Sequence, residues 1–391
     1  MSRGLPGILR RREPLRIGFL PVSDCAPVVY AYEAGLFAKY ELDVELRRET
    51  GWASIRDKVI NGELDAAHAP AALPFLANLG LGSDQCECVT GLVLNLQGNA
   101  ITLSRQLWEQ GVRDAATLRE TIYRRWGKQT YTFGIACPLA SQEFLLRQWL
   151  RTGGIVPEAE VRLVVISPTQ MFPMLKLGYI DGYCVDEPWT SVAVQAGAGV
   201  CVATSAELAP LHPEKVIMVR QSYSAGRAEE HERLLAAVLE ACAFCDRPEN
   251  HTLLSEMLAQ PHYVNAPADC LEAGLAGPLE SGGHGGEKLF DLNIFHRHHA
   301  NEPTDDKAAW VMKHLKELLE EKFARQHASS RVPVLKNVFR CSIHERARKL
   351  LSRVEKQIAA EVESYETLVK RRRETLTAPF SGARPEAAGP A

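Results

Sequence analysis

The sequence predicts an α/β protein built from two similar halves. Short strands alternate with helices through the first hundred residues, starting with Leu15 to Leu20 and continuing with Asp43 to Leu46 and Leu64 to His68. The same rhythm recurs from Tyr131 to Trp189, and the 391 residues suffice for two domains or one bilobal unit. Alternating strands and helices favour sheets with much parallel pairing, in which ligands bind beyond the carboxyl ends of the strands.

Helices are predicted between the strands of the first half. The first runs from Val28 to Ala38, and the second follows Trp52 and is ended by Gly62. Thr50 and Ser54 are the predicted N-cap residues of the second helix, because their side chains can accept a hydrogen bond from the first turn. The start of a helix carries unpaired N–H groups, so Trp52 lies where an anion is favoured.

A break near residue 98 predicts where the chain crosses between the halves. Val89 to Leu96 and Ala100 to Ser104 have strand character and flank Gln97-Gly98-Asn99. We therefore expect one long strand interrupted at Gly98. Further helices are expected at Leu107–Trp126, Gln142–Leu150, Glu229–Phe244, Pro248–Leu258 and Asp305–Phe323.

The C-terminal segment predicts a charged helix with one apolar face. Its apolar residues are spaced by fours and one three, which places them on a single side of a helix that faces the protein body or a partner. From Thr377 to Ala391 the composition is typical of disorder. The apolar face comprises Leu350, Val354, Ile358, Val362, Tyr365 and Val369.

Composition excludes several classes of protein. The net charge is -3, so no global charge directs the chain to nucleic acid, and no apolar run reaches membrane-spanning length. Met1 to Pro14 holds four arginines but no apolar stretch of signal-peptide length, which predicts a cytoplasmic protein. The ten cysteines are scattered, so we expect free thiols in a reducing compartment.

Motifs for catalysis and metal binding are weak. Cys242 and Cys245 have redox spacing but lie inside a predicted helix, and Cys86 and Cys88 lack a second pair. The tract from His296 to His299 has no nearby acidic or cysteine partners in the sequence, so a surface cluster is the better interpretation. Because nucleotide-binding, serine-hydrolase and zinc-protease motifs are absent, we expect a binding protein without cofactor, metal or enzymatic activity.

Four hydrogen-bond donors lie at the predicted loops and crossings. Trp52 and Gln142 each open a helix, one in each half, Asn99 lies at the crossover, and Lys215 lies where the chain returns. If the halves close on each other, these side chains meet around one small anion, whose single charge one ammonium balances. No acidic cluster that argues for a metal is seen near these four positions.

Several segments resemble the nitrate- and bicarbonate-binding family of solute-binding proteins. In order along the chain they are Leu15 to Pro27, Gly51 to Lys58, Asn95 to Ile101, Tyr183 to Trp189 and His212 to Lys215. The resemblance implies a type II periplasmic-binding-protein fold, with two α/β lobes, two crossovers and a ligand cleft. It implies lobe 1 at residues 15–100 and 205–340, lobe 2 at 101–204, a C-terminal helix at 341–373, and extensions at 1–14 and 374–391.

The resemblance also implies a ligand set. The family's tryptophan and lysine fall on Trp52 and Lys215, whereas Asn99 stands at its glutamine position and Gln142 at its histidine position. Both replacements keep hydrogen-bonding capacity but change reach, and the second removes a titratable ring. Nitrate or nitrite is the implied ligand, and bicarbonate remains open.

The absence of a leader makes the chain similar to the cytoplasmic nitrate- and nitrite-sensing branch of this family. Members of that branch hold an RNA-binding antitermination regulator and do not themselves bind nucleic acid, so ligand-dependent release of that regulator is the expected function. The alternative is the solute-binding component of a nitrate, nitrite or bicarbonate ABC transporter. An enzyme on the same fold, such as a thiamine-pyrimidine synthase, is a third alternative, for which the cysteine spacing is a poor match.

Overall fold

Two β-sheets, each surrounded by helices, organise the chain. The computed structural model describes residues 13–277, 292–325 and 333–377. The predicted extensions at 1–14 and 374–391 fall mostly outside these residues. In chain order, the strands of the described part are β1 (Leu15–Phe19), β2 (Val44–Arg48), β3 (Ala66–Pro70), β4 (Cys88–Gln97), β5 (Asn99–Ser104), β6 (Tyr131–Ile135), β7 (Val161–Val165), β8 (Gly182–Asp186), β9 (Gly199–Thr204), β10 (Pro213–Arg220) and β11 (Asn293–Ile294).

Helices follow most of these strands, as the alternating sequence pattern predicts. They are α1 (Ala26–Glu33), α2 (Leu36–Lys39), α3 (Trp52–Asn61), α4 (Leu73–Leu79), α5 (Arg105–Glu109), α6 (Ala115–Arg124), α7 (Ser141–Thr152), α8 (Pro168–Lys176), α9 (Trp189–Gln195), α10 (Ser205–Leu208), α11 (Gln221–Gly226), α12 (Ala228–Cys245), α13 (His251–Leu258), α14 (Ala268–Ala276), α15 (Asp305–Arg325) and α16 (Cys341–Thr377).

Each lobe contains one mixed sheet. The first has the strand order β11-β4-β10-β3-β1-β2, and the second has the order β7-β6-β8-β5-β9. In the first sheet β1 is parallel to β2 and β3, whereas β10 runs antiparallel to β3 and β4. In the second sheet β6 is parallel to β7 and β8, whereas β5 runs antiparallel to β8 and β9. β5 carries the chain out of the first lobe, and β10 carries it back. Each of these strands runs antiparallel to both of its neighbours.

The crossover near Gly98 is confirmed. β4 ends in the first sheet at Gln97, and β5 begins in the second sheet at Asn99. Gly98 between them has a φ of 104°, a region that L side chains rarely adopt. A Cβ atom there would meet Asn293 Oδ1 at 2.4 Å, so the crossing also lacks space for a side chain.

Two predicted helices need correction. The helix predicted from Val28 to Ala38 is two helices, because Gly35 adopts a φ of 69° between them. The helix predicted from Leu107 to Trp126 is also two, and Asp114 caps the second by accepting from Thr117 N at 2.8 Å.

The predicted N-caps of α3 are wrong. Gly51 occupies that position, whereas Ser54 Oγ donates to Glu49 at 2.7 Å. The predicted end of the helix at Gly62 is confirmed, with a φ of 77°.

The first turns of the C-terminal helix pack against the protein body. Ile343 and Ala347 are buried, and α16 lies against α12. Leu350 and Val354 are partly buried on the same core, whereas Ile358 is 40% exposed. The side chains of Val362, Tyr365 and Val369 lie outside the described residues. Within the described part of the chain, no helix combines the length and apolarity needed to span a membrane.

Candidate functional site

A buried lysine lies at the centre of the site. Lys215 is on β10, and its side chain has no exposed surface. Its Nζ atom lies 2.9 Å from Asp24 Oδ2 and 2.8 Å from Glu214 Oε1, and it also contacts Asp186 Oδ1. The ammonium donates hydrogen bonds to Asp186 and Glu214 and forms an ion pair with Asp24, so three carboxylates surround a single cation.

Two of these carboxylates have a histidine as a second partner. His68 Nε2 lies 2.7 Å from Asp24 Oδ1, and His212 Nε2 lies 2.9 Å from Glu214 Oε2. Both histidines and both carboxylates are buried. Each histidine adds a donor to a carboxylate that would otherwise be poorly solvated.

Trp52 forms one wall beside the lysine. It is the first residue of α3 and only 2% of its surface is exposed. Lys215 Nζ lies 5.4 Å from the centroid of the indole ring, within the range of a cation–π interaction. The indole Nε1 is buried and makes no hydrogen bond with the described residues. A buried donor without an acceptor costs free energy, so this N–H requires an explanation.

Asn99 and Gln142 donate to the same carboxylates. Asn99 Nδ2 lies 2.5 Å from Glu214 Oε2, and Gln142 Nε2 lies 3.0 Å from Asp186 Oδ2 and 3.3 Å from Glu214 Oε1. All four predicted site residues are therefore brought together and buried. The donors of Lys215, Asn99 and Gln142 are directed at protein carboxylates, however, and the role of all four residues in binding stays a prediction.

The site lies where the two lobes meet. Lys215 and Trp52 belong to the lobe of the first sheet, Asp186 and Gln142 belong to the lobe of the second, and Asn99 starts the crossing strand. Backbone contacts close the junction beside it, because Ser23 N donates to Glu187 O at 2.6 Å. Trp189 Nε1 likewise donates to Pro21 O at 3.1 Å.

The charges around Lys215 are strongly coupled. Burial opposes ionisation of Asp24, but Lys215 and His68 outweigh it and lower the pKa of Asp24 to about 2. Burial likewise opposes ionisation of Glu214, but Lys215 and His212 lower its pKa. Despite its burial, Lys215 has a pKa raised well above the usual value by the three carboxylates. The lysine is therefore charged in the folded protein.

Asp186 differs from the other two carboxylates. Burial, together with the charges of Asp24 and Glu214, raises the pKa of Asp186 well above its usual value despite Lys215. Burial lowers the pKa of His68, although Asp24 opposes that shift. Of the three carboxylates, Asp186 is therefore the one that takes a proton most readily.

Asp24, Asp186 and Glu214 form an acidic cluster that the sequence analysis does not identify. The sequence shows no acidic cluster that argues for a metal at the four donors, and in the described residues these carboxylates surround the Lys215 ammonium. Their positions along the chain are the signal that could have indicated the cluster. Asp24 follows β1, Asp186 ends β8 and Glu214 precedes Lys215. Three distant carboxylates are assembled only by the folding of both sheets, so sequence spacing did not reveal the cluster.

The other motifs form no metal site among the described residues. Cys242 and Cys245 are buried and unpaired, and burial raises the pKa of both thiols, as expected for structural cysteines. His296 Nδ1 lies 2.8 Å from Asn301 Oδ1 on the surface. Across the described ranges, no group of three histidine, cysteine or acidic residues is arranged to hold a metal ion.

Comparison with known proteins decides the family. Residues 10–259 match the model of the NMT1-like family, which is more than half of the chain. The chain belongs to the NMT1-like family. A similar relative within this group is the nitrate/nitrite binding protein NrtA of Synechococcus elongatus, which is 30% identical over 307 residues. That match covers 76% of this chain and 69% of NrtA.

A second relative is a larger protein. The bicarbonate transport ATP-binding protein CmpC of Synechocystis is 37% identical over 308 residues, which cover 76% of this NMT1-like chain and 45% of CmpC. The chain therefore spans about half the length of such relatives, and more than half of CmpC lies outside the matched region.

A solved structure confirms the fold of this NMT1-like protein. The crystal structure of the periplasmic nitrate-binding protein NrtA from Synechocystis superposes with a TM-score of 0.78 and 24% sequence identity. The superposition covers 86% of this chain and 89% of that one. The predicted periplasmic-binding-protein fold, with two α/β lobes, is therefore correct.

Proposed function

We propose that this protein binds a small, singly charged oxyanion, nitrate or nitrite, at the lobe junction and releases it unchanged. One observation carries the proposal: the buried Trp52 indole N–H has no acceptor and its ring lies 5.4 Å from the buried Lys215 ammonium. An anion at this position supplies the missing acceptor and meets a positive charge.

The relatives support the class of ligand. NrtA of Synechococcus elongatus is named for nitrate and nitrite binding, and a 29% identical relative, CmpA of Synechococcus, is named for bicarbonate binding. All three anions are small, planar and singly charged. Asn99 and Gln142 add amide groups that can bind the remaining oxygens once the lobes reorganise around the ligand.

The lobe junction explains how binding is converted into a change of shape. Trp52 and Lys215 lie on one lobe and Gln142 on the other, so an anion that contacts all three favours the closed arrangement. A ligand shifts a conformational equilibrium only by its difference in affinity for the two forms. The solute-binding component of a nitrate, nitrite or bicarbonate ABC transporter uses such a change, and we propose this role first.

Thermal unfolding with different anions tests the proposal. A ligand at about 100 times its Kd adds roughly 2.7 kcal/mol to the apparent stability. We expect nitrate or nitrite to raise the unfolding temperature, whereas sulfate and chloride leave it unchanged. Bicarbonate is measured with and without calcium. Ion chromatography of the recovered ligand checks that no turnover occurs. Absence of stabilisation by nitrate, nitrite and bicarbonate contradicts the proposal.

A second candidate is a cytoplasmic nitrate or nitrite sensor that releases an RNA-binding antitermination regulator when ligand binds. A region similar to this chain also forms part of CmpC, a larger protein named for ATP binding in bicarbonate transport. Size-exclusion chromatography with the regulator tests this role. Co-elution that nitrate abolishes supports it, whereas separate elution without nitrate contradicts it. Cell fractionation tests the location.

A further inference from the structure

Three buried carboxylates crowd the Lys215 ammonium: Nζ donates hydrogen bonds to Asp186 and Glu214 and forms an ion pair with Asp24. Asp24, Asp186 and Glu214 each lie within contact distance of Nζ, and none of the three is more than 1% exposed. An anion that binds to this ammonium must therefore take the place of one carboxylate. In a water-excluded site an additional uncompensated charge is costly.

Asp186 is the carboxylate that an anion can replace. Asp24 and Glu214 lie on the same lobe as Lys215, and each also binds a histidine. Asp186 ends β8 on the other lobe, and its side-chain partners among the described residues are Lys215 and Gln142. Opening of the lobes separates Asp186 from Lys215 but leaves the other two carboxylates in place.

We propose that a bound anion replaces the charge of Asp186 at Lys215, so that the protein binds each anion together with one proton. The inference rests on the proposed function and adds a condition to it. Asp186 carries the proton as a neutral carboxylic acid. Its hydrogen bond with Gln142 holds the acid at the site. The empty closed form is then held by the Asp186–Lys215 ion pair, for which the anion substitutes.

The groups that face Asp186 from each packed element agree with this assignment. Lys215 and Glu214 face it from β10 and Asp24 from the segment after β1, so two negative charges and one positive charge surround it. The nearby thiols of Cys137 and Cys184 have pKa values raised by burial and stay neutral. Lys215 supplies the positive charge that acts on Asp186.

Nitrate is the suitable probe, because it does not itself titrate near neutral pH. Isothermal titration calorimetry of the full chain with nitrate, between pH 6 and 9, measures the Kd. Repeating each titration in two buffers of different protonation enthalpy measures the protons taken up. We expect uptake to approach one proton per nitrate at the upper end of this range, where the affinity falls about tenfold per pH unit.

Asp186→Asn tests the residue assignment. Asparagine resembles the protonated acid in shape and charge, so this variant should bind nitrate without proton uptake and more tightly than the wild type at pH 9. Asp181→Asn is the matched control, since Asp181 precedes the same strand at its other end and accepts from Thr132 N at 2.7 Å. It should keep the pH dependence of the wild type.

The outcomes are distinguishable. A wild-type Kd that stays constant between pH 6 and 9, with no proton uptake, overturns the inference and leaves the proposed function intact. An Asp186→Asn variant that keeps the pH dependence overturns the assignment to Asp186. Failure of both nitrate and nitrite to bind to the wild type at every pH overturns the proposed function together with this inference.

Discussion

Lys215 Nζ and Asp24 Oδ2 lie 2.9 Å apart in a region where neither side chain is more than 1% exposed. Asp24 follows β1 and Lys215 lies on β10, and these two strands belong to one sheet because β10 returns beside β3. The pair therefore links the start of the first lobe to the strand on which the chain returns to that lobe. A buried charge that loses its partner is destabilising, so substitution of either residue should change the free energy of unfolding measurably.

Replacement of Lys215 by methionine should destabilise the fold strongly. The substitution leaves three buried carboxylates without their cation, which typically costs about 3–5 kcal/mol. The loss should shrink as the pH falls, because protonated carboxyl groups need no counter-charge. Urea denaturation at neutral and acidic pH measures both effects.

Lys39→Met is the matched control for that substitution. Lys39 Nζ lies 2.7 Å from Glu240 Oε1, but its side chain is 26% exposed, and partly solvated pairs contribute about 1 kcal/mol or less. An equal loss of stability in the two variants would show that the buried cluster has no special dependence on its lysine.

Asp24 should make the protein sensitive to acid. Its pKa is lowered from 3.8 to about 2 on folding, a difference worth about 2 kcal/mol. Because the folded-state pKa is the lower one, this stabilisation is present above the unfolded value and is lost as the pH falls through about 2. In Asp24→Asn, the change in unfolding free energy between about pH 5 and 2 should be smaller by a similar amount.

Asp57→Asn is the control for the acid prediction, since Asp57 is 49% exposed in its pair with Arg56. Both variants are compared with the wild type by denaturation at each pH. If Asp24→Asn and the wild type lose the same stability on acidification, the ionised Asp24 does not stabilise the fold.

Trp52→Phe should separate binding from stability. The change keeps an aromatic ring but removes the unpartnered indole N–H, so folding should be unaffected or slightly improved. Nitrate should bind roughly tenfold more weakly or worse, as expected for a lost hydrogen bond to a charged group. Calorimetry gives the Kd and urea denaturation gives the stability.

Trp126→Phe serves as the control, because Trp126 is 57% exposed. It should change neither quantity. Unchanged nitrate affinity in Trp52→Phe would remove the indole N–H from the ligand set.

Gly98→Ala should destabilise the crossing strand. The alanine Cβ would lie 2.4 Å from Asn293 Oδ1 at a φ of 104°, so both crowding and backbone strain oppose it. Gly197 has a φ of 64° and nothing within 4 Å of a built Cβ, so Gly197→Ala reports strain alone. The Gly98 variant should have the lower urea midpoint. Equal midpoints would mean that contact with Asn293 contributes nothing.

Sequence reasoning predicted the fold well and the local helix ends less well. Strand and helix alternation, together with the break at Gly98, was sufficient for two α/β lobes and one crossing. The sequence pattern places Gly35 inside one helix, but in the structure Gly35 separates two helices. Its φ of 69° is a left-handed backbone conformation, and composition alone does not specify which glycines adopt it. Ser54 was predicted as a cap, but Glu49 accepts its hydroxyl.

The sequence by itself determined the two-lobed architecture and the four side chains that meet at the lobe junction, Trp52, Asn99, Gln142 and Lys215. The spacing of apolar residues and the positions of glycines are local signals, and they can be recognised in a single stretch of the sequence. Only the tertiary structure decided that Asp24, Asp186 and Glu214 converge on Lys215. That convergence arises from strand order and the packing of two lobes, and electrostatic energy depends on distances in space, not on separation along the chain.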